Sequence, residues 1–267
     1  MKVSIITVSY NSAKTIGDTI SSVRKQSYNN IEYIIVDGNS TDGTIEIVKQ
    51  FMDSSKDVGQ DALQDSAKGA PQGVVTTFLC ERDKGIYDAM NKGLALATGD
   101  IIGVLNSDDF YCADDVIEQV VLAFQKNNTD CLYGDLNYVD PIDTSKIIRK
   151  WRSGSYRKAN FLNGWMPPHP TFFVKKSCYE RFGKFDTQFK SAADYELMLR
   201  FLFKELCSAQ HLSAVMIHMR SGGVSNVSLK NRIRANREDR LAWKVNGLKP
   251  KWFTLMRKPL SKLIQYF

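Results

Sequence analysis

Short apolar runs alternate with amphipathic stretches up to about residue 110, and this alternation constrains the fold more than any other feature of the chain. Residues 3–8 form a β-branched run that reads as a buried strand, and residues 13–24 follow as a helix with Ile16, Ile20 and Val23 on one face. Residues 31–36 make a second buried strand, after which Asn39-Ser40-Thr41 offers N-caps for a helix through Phe51. Residues 74–80, 86–97 and 101–105 repeat the pattern as strand, helix and strand, with Gly99 closing the helix. Strands joined by crossover helices at this spacing define an α/β chain with a parallel sheet. Ligands are expected beyond the carboxyl ends of such strands, where residues 106–109 read Asn-Ser-Asp-Asp.

The second half is less regular. Residues 131–139 and 146–151 read as a hairpin turning at Asp140-Pro141-Ile142-Asp143, and residues 171–174 as a short strand after Pro167-Pro168-His169-Pro170. Residues 194–206 form a helix with Leu197, Phe201 and Leu202 inward, and 212–217 another strand. Residues 52–73 are polar and poor in large side chains, as in a surface insertion.

At 267 residues, 43% hydrophobic and 24% charged, the chain suffices for one large domain with a substantial core and a tail. Its charge is uneven. Residues 230–267 carry eleven Lys or Arg against Glu238 and Asp239, a net of +9, so the rest totals −2 within the overall +7. No zinc finger, RNA-recognition signature or helix-turn-helix accompanies that basicity, which excludes a nucleic-acid partner. The five cysteines are odd in number and scattered, without paired spacing for zinc or disulfides, and fit reduced thiols in a cytoplasm. Neither a signal peptide nor a run of about 18 apolar residues is visible, so neither export nor a membrane span is expected.

Asp108 and Asp109 are the carboxylates best placed for chemistry, because a reaction that expels a diphosphate needs a hard cation and hard cations take carboxylate oxygens. The same pair would also serve as a cap for a following helix. Asp37, followed by Gly38 at the end of the second strand, is placed to reach a ribose or base, and equally reads as a turn.

Four ordered blocks, Val3-Ser-Ile-Ile-Thr-Val-Ser-Tyr-Asn11, Ile35-Val-Asp-Gly-Asn-Ser-Thr-Asp-Gly-Thr44, Asp83-Lys-Gly-Ile-Tyr-Asp-Ala-Met-Asn-Lys-Gly93 and Gly99-Asp-Ile-Ile-Gly-Val-Leu-Asn-Ser-Asp-Asp109, resemble the family 2 glycosyltransferases. They look most like the bacterial branch that builds colanic acid, capsule and O-antigen. The resemblance covers about residues 1–223. It implies the GT-A fold, a Rossmann-like three-layer α/β/α sandwich with a mixed, mostly parallel sheet, and an inverting transfer from a nucleotide sugar, UDP-linked by first choice, with Mg²⁺ or Mn²⁺. The acceptor it implies is a saccharide or a lipid-linked saccharide. The catalytic domain is then residues 1–227, with a nucleotide half at 1–110 and an acceptor half at 111–227.

Carried over residue by residue, the resemblance puts Thr7 and Tyr10 at the nucleobase, Asp37 on the base, and Asp83 and Lys84 at the rim of the nucleotide pocket. Asn106-Ser107-Asp108 takes the place of the family's Asp-x-Asp motif, with Asp108 on the metal and Asn106 one charge short. Ala192-Ala-Asp-Tyr-Glu resembles its Glu-Asp motif, making Asp194 the base that deprotonates the acceptor hydroxyl, with Ala193 where a Glu is usual. Glu196, the competing carboxylate, points to a different helix face. His169, fixed between prolines, falls near the acceptor and diphosphate; His211 reads as structural. The Ser221-Gly222-Gly223-Val224-Ser225 turn has the glycines a lid needs.

Residues 228–267 read as a basic amphipathic helical tail suited either to an anionic membrane surface on the cytoplasmic face or to packing on the domain. A nucleotidyltransferase would share the nucleotide half but carry a basic glycine-rich loop where Tyr10-Asn-Ser-Ala-Lys14 stands. A non-catalytic sugar-nucleotide binder or scaffold is the other alternative, since fold alone does not guarantee activity.

Overall fold

The computed structural model describes residues 1–53, 75–222, 229–255 and 257. Most of the insertion expected at 52–73, the glycine turn from Gly223 on and the end of the tail lie outside them. The order is β1 (Val3–Ser9), α1 (Ile16–Arg24), β2 (Ile31–Asp37), α2 (Thr44–Asp53), β3 (Val75–Cys80), α3 (Ile86–Leu96), β4 (Ile101–Asn106), β5 (Asp109–Tyr111) and α4 (Val116–Asn127). Then come β6 (Cys131–Val139), β7 (Ile147–Trp151), α5 (Ala159–Leu162), a 3₁₀ turn (His169–Thr171), β8 (Phe173–Lys175), α6 (Lys176–Phe182) and α7 (Ala193–Met198). A π-helical turn (Leu199–Lys204), β9 (Ala209–Arg220) and α8 (Leu229–Val245) complete the chain.

The described strands form one sheet in the order β3-β2-β1-β4-β8-β6-β9-β5, with β7 paired to β6. β1, β2, β3 and β4 are mutually parallel, so their carboxyl ends reach one edge together, with Ser9 beside Asp37 and Asp37 beside Cys80. β8 enters antiparallel to β4 and β6. The unbroken apolar runs follow from burial on both faces. Val3, Ile5, Ile31, Tyr33, Ile101 and Leu105 pack under α1, α2 and α4; Ile6, Val8, Ile34, Val36, Ile102 and Val104 pack under α3, α6, α7 and α8. This is the three-layer sandwich expected. α3 lies so close to β1 that a side chain at Gly93 would run into Ile6.

Several elements depart from the sequence reading. The Asn39-Ser40-Thr41 cluster caps no helix. Instead it ties the loop after β2 to the loop after β1: Asn11 N–H donates to Ser40 Oγ at 2.8 Å and Thr41 N–H to Asn11 Oδ1 at 2.9 Å, with α2 starting later at Thr44. The strand expected at 171–174 begins at Phe173, because Pro170 suits the first turn of a helix and closes a 3₁₀ turn before it. The helix expected over 194–206 changes to π geometry at Leu199, with Leu197, Phe201 and Leu202 buried as predicted. α4 has no counterpart in the reading, although Val116, Ile117, Val120, Val121 and Phe124 bury one helical face. Its β-branched residues carry weak helix propensity, and packing overrides it.

Candidate active site

The two strand-end loops after β1 and β2 are zipped by short polar side chains. Asp37 is fully buried and its carboxylate accepts Ser9 Oγ, Ser40 Oγ and Ser40 N–H, each at 2.7 Å. Its oxygens therefore hold the turn, and its side chain is closed to solvent. Next to it Gly38 fills a narrow gap: an added Cβ would fall 2.5 Å from Asp83 Oδ2 and 3.2 Å from the Tyr10 ring. That gap brings Tyr10, Gly38 and Asp83 together from three strand ends. Tyr10 is 65% exposed, so its ring is presented to solvent rather than packed in the core. Lys84 is exposed beyond Asp83. Thr7 does not join this group; it is fully buried and its Oγ1 accepts from Tyr33 Oη at 3.1 Å.

At the end of β4 the two aspartates part company. Asp109 begins β5, not a helix, which removes the capping alternative; its side chain is fully buried and burial, with the Asp108 charge, pushes its carboxyl well up. Asp108 is half-buried; burial raises it too, opposed by its own N–H, by Arg220 and by His169. Among the described residues its own N–H is the one group that hydrogen-bonds the Asp108 carboxylate; Arg220 and His169 act on it through their charge. Asn106 Oδ1 and Asp109 Oδ1 lack partners. Of these groups the Asp108 carboxylate is the accessible one, and a carboxylate suits a hard cation such as Mg²⁺ or Mn²⁺. No group of three or more His, Cys, Asp or Glu side chains forms a metal cage among the described residues. Such an ion would thus depend on ligands from elsewhere. Ser107 is buried and shares a 2.8 Å hydrogen bond with Ser12 Oγ, which joins this strand end to the loop after β1.

A chain of polar contacts connects this end to Asp194. Asn106 Nδ2 lies 3.3 Å from Asp109 Oδ2 and 3.3 Å from His169 Nε2, and His169 Nδ1 lies 3.4 Å from Asp194 Oδ2. Tyr87 Oη donates to Asp194 Oδ1 at 3.1 Å. With the amide NH₂ turned to both acceptors, His169 Nε2 accepts and its proton sits on Nδ1, directed at Asp194; that tautomer is an assignment from the network. The Tyr87 hydroxyl and the nearby His169 ring orient the carboxylate, and half-buried Asp194 lines an apolar recess with Met90, Val104, Phe172, Tyr179, Phe185 and Leu197. Glu196 is no rival for this position. It is 3% exposed and spends its oxygens on Arg200 and Asn246.

Tyr87 and Arg220 escape motif reading, and Asn106 enters it only as a missing charge. Tyr87 lies within a quoted block, four residues past Asp83, without any sign that it meets Asp194. Asn106 looks like a lost charge yet supplies the two N–H bonds that join Asp109 to His169. Arg220, at the end of β9, donates to the Asp108 carbonyl at 2.7 Å, pairs with Asp18 and lies over the Phe110 ring. Its sole signal in the sequence is its place before the glycine turn. His211 bonds Asp135 at 2.9 Å, away from these groups, in the structural role expected of it.

The parallel strand ends, the half-buried acid after β4 and the aimed carboxylate on α7 define an enzyme of the GT-A class of α/β transferases. The chain belongs to glycosyl transferase family 2, whose profile matches residues 4–180. It is 31% identical over 227 residues to an uncharacterised glycosyltransferase of Mycobacterium tuberculosis, covering 84% of this chain and 77% of that one. It is also 34% identical over 149 residues to the Escherichia coli UDP-Glc:α-D-GlcNAc-diphosphoundecaprenol β-1,3-glucosyltransferase WfgD, covering 56% of this chain and 50% of that one. The fold matches Staphylococcus aureus TarS 1–349 in complex with UDP, with a TM-score of 0.66 at 18% identity, over 96% of this chain and 68% of that one. The chain spans 44% of the longer TarS chain.

Proposed function

We propose that this glycosyltransferase moves a sugar from a nucleoside diphosphate sugar, UDP-linked by first choice, onto a saccharide or lipid-linked saccharide in the assembly of a bacterial surface polysaccharide, with inversion. The observation that carries this reading is the chain Asp194–His169–Asn106–Asp109, which runs from a candidate base to the strand end where Asp108 is open. Tyr10 would stack on the nucleobase and Asp83 would close the far side of that pocket, with Asp37 ordering the turn between them. Asp108 would hold Mg²⁺ or Mn²⁺, which neutralises charge on the departing diphosphate. Because the protein offers few ligands there, the diphosphate must complete the coordination, so metal and nucleotide should bind together. Asp194 would take the acceptor proton from the side opposite the leaving group, His169 and Tyr87 keeping its carboxylate aimed.

The donor class is tested by thermal unfolding against UDP-, GDP- and dTDP-sugars with Mn²⁺. A ligand present at 100 times its Kd stabilises the native state by about 2.7 kcal/mol, so one nucleotide should raise Tm with metal and much less without it. A response to none of them would defeat the nucleotide-sugar reading.

We also propose that the basic tail holds the enzyme at the cytoplasmic face of an anionic membrane, where a lipid-linked acceptor would lie. No described helix is long and apolar enough to cross a membrane. α8 gives Ala242 and Trp243 to the protein core, so that face is taken. Trp252 is 84% exposed beside Lys251 and is free to enter an interface. Each basic residue near such a surface contributes about 1 kcal/mol. Exchanging Lys249, Lys251 and Trp252 for serine should release the protein from anionic vesicles at low salt. Equal sedimentation of the variant and wild type would end the membrane reading.

A further inference from the structure

Asp194 stands on a helix that cannot hold itself in place. α7 is six residues long, Ala192 gives its first turn no side-chain cap, and the backbone passes directly into the π turn. An isolated helix of that length is unstable in water. Beyond the core packing of its buried residues, the polar anchors on either side of Asp194 come from α8, more than forty residues further on. One oxygen of Glu238 accepts Ser191 N–H at 2.8 Å and Ser191 Oγ at 3.0 Å, and its carboxylate also accepts Lys190 N–H at 3.2 Å. Trp243 Nε1 donates to Tyr195 Oη at 2.8 Å, and both side chains are buried to within 1%. Asn246 Nδ2 donates to Glu196 Oε1 at 2.9 Å. Residues 238, 242 and 246 recur every four positions and so share one face, with Ala242 buried between the two polar anchors. The contacts bracket Asp194 on both sides: 190 and 191 before it, 195 and 196 after it.

We propose that α8 is a positioning helix for the catalytic base, with Glu238, Trp243 and Asn246 setting the rotation and axial position of α7. The inference rests on Asp194 being that base. Tyr87 meets the Asp194 carboxylate and the backbone N–H groups of Ala193 and Asp194, whereas the α8 anchors take hold of the residues before and after them. A base acts only within hydrogen-bond reach of the hydroxyl, and a misplacement of about 1 Å can cost on the order of a hundredfold in rate. Each anchor is a charged or fully buried hydrogen bond, the kind that transmits position rather than merely adding contact area.

The test is a set of cycles between α8 and the base, read at a temperature well below each variant's Tm. Glu238→Ala should lower kcat roughly ten- to a hundredfold while donor Kd stays within about twofold. Glu238→Gln, which keeps an oxygen for the Ser191 N–H, should recover most of the loss. Added to Asp194→Asn, Glu238→Ala should cost nothing more, because displacing a base that is already missing has no consequence. Trp243→Phe, which keeps an aromatic side chain but loses the N–H with the five-membered part of the indole, repeats the test where Glu238→Ala fails to fold. A folded Glu238→Ala or Trp243→Phe with kcat within twofold of wild type overturns the proposal. So does the same fold loss in the Asp194→Asn background, since α8 would then act on another part of the site. Substantial activity in Asp194→Asn alone would instead remove the base assignment, whatever α8 does.

Discussion

Asp194→Asn is expected to lower transfer by about 10²- to 10⁴-fold, or roughly 3 to 5.5 kcal/mol of transition-state stabilisation, with donor Kd within about twofold of wild type. The structure allows the exchange without collapse. Tyr87 Oη and His169 Nδ1 each meet one carboxylate oxygen, and an amide can keep its oxygen toward the imidazole while the tyrosine hydroxyl turns to accept from its NH₂. What is lost is the capacity to take a proton. Donor binding should survive because no hydrogen bond joins Asp194 directly to Tyr10, Asp83 or Asp108. Single-turnover kinetics with saturating donor, alongside calorimetry with the nucleoside diphosphate, give both numbers. More than about a tenth of wild-type activity would show that another group takes the proton.

Asp108→Ala should be nearly as severe, by a different route. The metal's stabilisation of developing charge is worth several kcal/mol, so loss of its main protein carboxylate is expected to cost at least about 10²-fold in kcat/KM. Donor binding should stop responding to Mn²⁺ or Mg²⁺, whereas in the wild type donor and metal are expected to bind together. Asp109 cannot substitute, because it is fully buried within β5 and hydrogen-bonded to Asn106. Calorimetry with and without metal separates the outcomes. Persisting metal dependence in Asp108→Ala would place the ion elsewhere.

Thr7 and Asp37 lie deeper than their expected places at the nucleobase, and for one of them this was legible in the sequence. Thr7 alternates with Val3 and Ile5 along β1, and period two alone sends it to the face packed under α1 and α4, away from the loop that carries Tyr10. Asp37 is different. A carboxylate at a strand end reads the same whether it meets a ligand or three hydroxyl and amide donors from its own loop. Only the fold shows that Ser9 and Ser40 claim it.

The sequence by itself determined the layered α/β architecture and the edge where ligands gather, and it singled out Asp108 and Asp194 as candidates. Those follow from local periodicity and from short blocks in which each residue's role depends on near neighbours. Tertiary structure decided how those groups work together. That Asn106 links Asp109 to His169, that Tyr87 and His169 aim Asp194, and that Arg220 lies against Asp108 depends on contacts spanning 63, 107 and 112 residues. The tail shows the same division most plainly. Its basic helix was legible from composition, but a face of Glu238, Trp243 and Asn246 acquires a meaning only when Ser191, Tyr195 and Glu196 are set opposite it. Hydrogen bonds depend on direction and on distances of about 3 Å, and no property of a one-dimensional pattern fixes either for residues this far apart.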